Sequence, residues 1–157
     1  MTEEQTIPQA YLDAIEAIKA SSPQSSVYVG CDSLRFKTKR KGQWFSRFST
    51  VIVLHVDSKH GGKMFQYSTT MPDYGNRKAR LMMEVQMALD AAMAIVEHIG
   101  DRRMELHLDI NNDPKHASYC AYHEAMGWVK GMGFEPIMKP DSWAAKNAAD
   151  HAVRNLH

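Results

Sequence analysis

Seven residues, Val27-Tyr28-Val29-Gly30-Cys31-Asp32-Ser33, constrain the chain more than any other stretch. An almost wholly apolar run of this length reads as a strand buried on both faces of a sheet. It runs straight into the carboxylate of Asp32. A carboxylate left uncompensated beside a buried strand is costly, and a metal ion is the simplest positive partner for it. Capping a turn is the other common duty of a strand-end aspartate. What favours the metal is repetition: Met104 to Ile110 alternates Leu106, Leu108 and Ile110, and it too ends in a carboxylate, Asp109.

The remaining elements arrange themselves around these two strands. Thr6 to Ala20 has helical period, with Thr6 as cap, Pro8 in the first turn and Ile7, Tyr11, Ile15 and Ile18 along one face. Trp44 to Val56 reads as a second strand, strongest at Val51 to Leu54. The Ser58 to Lys63 segment is turn chemistry, and Met64 to Thr70 returns as a third strand. From Arg77 to Ile99 the period becomes helical through Leu81, Val85, Leu89, Ala92, Val96 and Ile99, and Gly100 stops it. Lys115 to Met132 reads as another helix and Phe134 to Met138 as a fifth strand. Asp141 or Ser142 caps a last, alanine-rich helix that runs to Leu156.

A helix between two strands favours parallel neighbours joined by a right-handed crossover. The expected fold is therefore α/β, a five-stranded mixed sheet flanked by helices, with an extra N-terminal helix. Strands 1–3 are antiparallel, and strands 1, 4 and 5 are parallel. Residues 1–157 form one domain in this reading, of which 1–22 are the N-terminal helix and linker.

Composition narrows the partners. A formal charge of +1 excludes a chain that is basic overall, so a nucleic-acid partner needs a local patch. Cys31 and Cys120 read as buried thiols of a reducing compartment rather than a disulfide. The acidic start Met1-Thr2-Glu3-Glu4-Gln5 lacks the apolar core of a secretory signal, and no run approaches the length of a membrane span. A cytoplasmic protein without membrane contact is expected.

In sheets of this kind ligands gather at the carboxyl ends of parallel strands, so Asp32 and Asp109 are expected at one rim. Glu84 falls at the border of the apolar helix face beside Ala88 and Ile95, from where it can reach that rim; favouring the helix dipole is its plainer role. Asp150 borders the Ala145, Ala149, Ala152 and Val153 face of the last helix, while its rival Asp141 suits a cap. Clustered carboxylates repel one another and fit hard divalent cations rather than zinc. Two Mg2+ or Mn2+ ions about 3.5–4 Å apart could clamp a phosphodiester.

This ordered set, strand-Asp32, then Leu81-Met82-Met83-Glu84-Val85, then His107-Leu108-Asp109, then Ala148-Ala149-Asp150, resembles the ribonuclease H-like superfamily. The segment Gly127 to Phe134 followed by Lys139-Pro140 and Asp150 is similar, more narrowly, to the bacterial and phage family typified by YkuK. The resemblance covers about Val27 to Arg154. It implies that Asp32, Glu84, Asp109 and Asp150 bind metal in a Mg2+- or Mn2+-dependent nuclease. A long basic, tryptophan-bearing insertion for gripping a hybrid is missing, which argues against hybrid specificity.

Other residues complete the expectation. Lys139 ends the fifth strand and could touch a scissile phosphate or a carboxylate at the rim; a strand-end lysine facing water is the bland alternative. Arg35, Lys37, Lys39, Arg40 and Lys41 form a basic run, read as a hairpin tip, with Phe36 inside it and Trp44 beyond. It could track a phosphate backbone and stack a base, or simply stay solvated. Asn111, Asn112 and Asp113 suit either substrate contact or an Asx turn. His116, Cys120 and His123 have helical ligand spacing but no second cysteine pair to close a zinc site. The expected function is a two-metal nuclease that acts on RNA, DNA or a hybrid, with Asp32 bridging the metals. The alternative is a non-catalytic module of the same fold that binds nucleic acid or a protein partner.

Overall fold

The computed structural model describes residues 6–39, 42–56 and 62–145. A first helix α1 (Gln9–Ala20) precedes three strands, β1 (Ser26–Lys37), β2 (Trp44–His55) and β3 (Gly62–Pro72). Helix α2 (Arg77–Ile95), strand β4 (Arg103–Asn111), helix α3 (Tyr122–Gly131) and strand β5 (Glu135–Lys139) follow. The sheet order is β3-β2-β1-β4-β5. β1 pairs antiparallel with β2 and β2 with β3, whereas β4 runs parallel to β1 and β5 parallel to β4. The mixed sheet is the one the element order predicts.

Strand alternation divides the side chains between two faces. Val27, Val29 and Cys31 of β1, Ile52 and Leu54 of β2, and Leu106, Leu108 and Ile110 of β4 belong to one core with α1, α2 and α3. Helix α1 contributes Tyr11, Ala14, Ile15 and Ile18, an i, i+3, i+4, i+7 stripe. Tyr28, Val51 and Val53 form a smaller cluster on the opposite face. Ala144 and Ala145, where the backbone has just turned helical, are buried as well.

Several expected boundaries move, each for a local reason. Thr6 does not cap α1; the carbonyl of Pro8 accepts the amides of Tyr11 and Leu12 instead, and no side chain caps this end. Helix α2 stops at Ile95 and tightens into a 3-10 turn over Val96–His98. The expected helix from Lys115 divides: Ala117–Ala121 is 3-10, and α geometry starts only at Tyr122. That break removes the α spacing that suggested His116, Cys120 and His123 as zinc ligands. Most of the expected Ser58 to Lys63 turn lies outside the described residues, as do the last helix beyond Ala145 and its Asp150.

Candidate metal centre

The parallel ladder between β1 and β4 runs from Ser26↔Arg103 to Gly30↔His107 and then ends. Asp32 and Asp109 each stand two residues past that last pair, so they are level with each other on adjacent strands. Neither ends its strand, contrary to expectation. β1 continues to Lys37 against β2, with Asp32 opposite Ser49, and β4 continues to Asn111. What ends at the aspartates is the β1–β4 pairing, and the β4–β5 register also shifts between His107 and Asn111. The carboxylates therefore sit where the sheet's backbone bonds are interrupted, which leaves room for side chains to converge.

Helix α2 delivers the third acid. Glu84 is only 5% exposed, not the border residue its spacing suggests. Ligand oxygens of Asp32, Glu84 and Asp109 lie within 4.8 Å of one another, and among the described residues no other group of three potential ligands does so. Ser33 serves both neighbours: its amide donates to Asp32 Oδ1 (2.9 Å) and its hydroxyl to Glu84 Oε1 (3.0 Å).

Burial and mutual repulsion set the electrostatics. Burial, then the charge of Asp109, pushes the Asp32 carboxyl up to about 6. Glu84 is driven well above the usual carboxylate range, first by burial and then by Asp32 and Asp109. Three acids this close cannot all stay charged without a cation. One is supplied by the chain: Lys139, at the end of β5, places its ammonium on Asp109 Oδ1. Burial alone would depress that ammonium, but the Asp109 contact and the nearby Asp32 and Glu84 outweigh it and raise its pKa. Lys139 remains 46% exposed, so its charge is only a partial remedy for a buried glutamate. The donor set is all hard oxygen, which suits Mg2+ or Mn2+.

The basic run is a hairpin tip only in part: Lys39 follows β1 in its turn towards β2. Arg35 and Lys37 stand on β1 itself. Arg35 Nε meets Asp73 Oδ1 at 3.2 Å, and its guanidinium lies 4.5 Å from the centre of the Trp44 ring. Lys37 and Lys39 are exposed, and Arg40 and Lys41 lie outside the described residues. Asn111 and Asp113 form successive Asx turns, accepting from the amides of Asp113 and Lys115, in keeping with the turn reading.

Sequence reasoning passed over Ser33, His107 and Gly30. A Cβ at Gly30 would fall 2.5 Å from the Ala145 nitrogen and 2.8 Å from the Ala144 carbonyl carbon, so glycine is what lets the last helix approach β1. A glycine inside an apolar strand is the available signal for such an approach. His107 Nδ1 accepts the amides of Trp143 (3.0 Å) and Ala144 (3.2 Å), a service expected of Asp141 or Ser142.

Among solved structures the chain is similar to a crystal structure of prototype foamy virus protease-reverse transcriptase in its native form, with 13% identity and a TM-score of 0.38. That likeness covers 80% of this chain and 19% of the viral one, so the chain spans about a fifth of that protein. No curated protein matches the sequence. The family model described as Ribonuclease H-like matches residues 10–154, and the chain belongs to the ribonuclease H-like family.

Proposed function

We propose that the protein is a divalent-metal-dependent nuclease that hydrolyses phosphodiester bonds in RNA or DNA. The observation that carries this reading is the convergence of Asp32, Glu84 and Asp109 within 4.8 Å, with Glu84 almost fully buried. Burying an ionised carboxylate costs several kcal/mol (about 3–5 when its partner is missing), and a bound cation would offset that cost. In the proposed site these residues, joined by Asp150 from the last helix, bind Mg2+ or Mn2+, in the two-ion arrangement. Such ions, when bound, acidify a coordinated water and neutralise charge developing on a phosphate. The chain's own groups do the positioning. Ser33 fixes the orientation of Asp32 and Glu84 together, and Lys139 holds a positive charge beside Asp109 that can meet a phosphate oxygen.

A second reading, a non-catalytic module that binds nucleic acid or a protein, draws on one observation: Lys139 already supplies a counter-ion to Asp109. One experiment separates the two. Cleavage of single-stranded, duplex and hybrid oligonucleotides is measured with Mn2+, and Mn2+ binding is measured by calorimetry. A nuclease loses at least about a hundredfold in rate on Asp32→Asn and loses Mn2+ binding on Asp109→Asn. A wild-type protein that takes up no Mn2+ leaves only the module.

A further inference from the structure

The face of the sheet that carries Asp32 continues beyond it. Alternation along β1 puts Leu34 and Phe36 on the same side, and the antiparallel register sets Arg47 opposite Leu34 and Phe45 opposite Phe36. Leu34 is 46% exposed and Phe36 38%, which is unusual for neighbouring apolar side chains on one face. The Phe36 and Phe45 rings stack, with centroids 6.0 Å apart and planes 22° from parallel. Together they make an aromatic pair on this face, of which Phe36 is the more exposed member.

Arg47 sits between this pair and Asp32. It makes no ion pair or hydrogen bond among the described residues, in contrast to Arg35, which points to the other face and is held by Asp73 and Trp44. A half-buried arginine opposite Leu34, one row from the Phe36–Phe45 pair, meets no anion among the described residues. The order along the strand is thus carboxylate, free arginine, aromatic pair. Successive rows are separated by about 6.6–6.8 Å, twice the strand rise, a step comparable to that between phosphates of an extended single strand.

We propose that this face is a track for a single-stranded polynucleotide, with a phosphate on Arg47 and an unpaired base on the Phe36–Phe45 pair. The inference rests on the nuclease reading for its direction, since the track leads to Asp32. Charge selects a phosphate for the lone guanidinium, and a ring surface of this kind stacks only bases that are not already stacked in a duplex.

The test is fluorescence anisotropy of a labelled 20-nucleotide DNA without metal, with unlabelled duplex as competitor. Phe36→Ala weakens binding by about five- to a hundredfold, as loss of one stacked base does, and Phe36→Trp retains it. Arg47→Gln lowers the slope of log affinity against log salt by about 0.7. Duplex displaces the probe poorly, and Lys19→Gln, in the last turn of α1 and exposed, changes affinity by less than about twofold. Because the substituted side chains are exposed or half-buried, circular-dichroism melting of each variant shows an intact fold. The track is overturned if wild type binds no oligonucleotide, if Phe36→Ala and Arg47→Gln both bind as wild type does, or if duplex competes equally. The nuclease reading fails separately: a protein that loses oligonucleotide on Phe36→Ala but never cleaves it keeps the track and is not a nuclease.

Discussion

Gly30 and His107 are the last residues paired between β1 and β4, and together they form the seat of the final helix. One contributes an absent side chain, against which Ala144 and Ala145 pack with their backbone; the other contributes a ring nitrogen that accepts two of the amides opening the helix. Those bonds require an unprotonated Nδ1 on His107, which leaves the ring proton on Nε2, 3.5 Å from Glu105 Oε1. Burial lowers the pKa of this histidine, in accord with a neutral ring. The seat lies two residues before Asp32 and Asp109, so the sheet that positions these acids also fixes where the last helix begins.

Gly30→Ala therefore acts on more than stability. The new methyl meets backbone rather than a flexible side-chain end, so the helix start must move. Overpacking of this kind costs about 1–3 kcal/mol, read as a lower urea midpoint at unchanged m-value. If Asp150 completes the site, cleavage falls by more than the loss of folded protein explains. Equal stability of the two proteins would show that the helix does not depend on this contact.

Much of this was legible in the sequence, and the failures have physical causes. The period switch at Arg77 and the apolar run Val51 to Leu54 identified α2 and β2 because hydrophobic pattern follows burial directly. Asp32, Glu84 and Asp109 could be gathered because β-α-β connectivity fixes which strand ends adjoin. The extent of β1 could not be read: Leu34 to Lys37 is exposed and opens a run dense in basic residues, and it is held in the sheet by pairing with Phe45 and its neighbours, a long-range effect. The depth of Glu84 was hidden too, since helical spacing gives a direction and not what packs over it. The histidine cap on the last helix joins residues 36 apart in the chain and has no local signature.

Asp32 makes metal-free stability fall as pH rises. Its pKa in the folded protein is about 6, against 3.8 ordinarily, so the folded state holds the proton more tightly than the unfolded one. The penalty is absent below about pH 4, grows through pH 4–6 and is complete above 6. Glu84 shifts in the same direction. Asp32→Asn, which mimics the protonated form, should raise metal-free stability at pH 8 by about 1–3 kcal/mol and change little at pH 4. Mn2+ should raise the melting temperature of wild type at pH 8 much more than at pH 5, where protons compete for the ligands. Differential scanning fluorimetry across pH 4–8 reads both effects.

Asp73 ties together the elements that carry the site. Its carboxylate accepts from Ser46 on β2 (2.5 Å), Arg80 on α2 (3.3 Å) and the Gly75 amide (2.8 Å), and it pairs with Arg35 on β1. The Ser46 bond and the other contacts, against an opposing contribution from burial, hold its pKa at about 2. Arg80 is one helical turn before Glu84, so this anchor also steadies the third acid. Asp73→Ala should destabilise by about 2–4 kcal/mol at pH 7. The native contribution is present above about pH 4 and is lost as pH falls towards 2, so the gap between wild type and variant, measured by urea unfolding, should narrow between pH 4 and pH 3.

Lys139 competes with a cation for Asp109, and its removal should help metal while harming the metal-free protein. Lys139→Met keeps the length of the stem and deletes the charge. Without the ammonium, Asp32, Glu84 and Asp109 face one another uncompensated, so the metal-free melting temperature at pH 8 should fall. Mn2+ no longer has to displace a bound cation, and its dissociation constant should drop by about three- to tenfold. That is the modest effect expected of a pair whose lysine is nearly half exposed. If the same lysine also meets the substrate phosphate, KM for an oligonucleotide rises although metal binds more tightly. Calorimetric Mn2+ titration of both proteins decides the first point: weaker binding by Lys139→Met would mean that the lysine supports the metal ligands rather than competing with the ion.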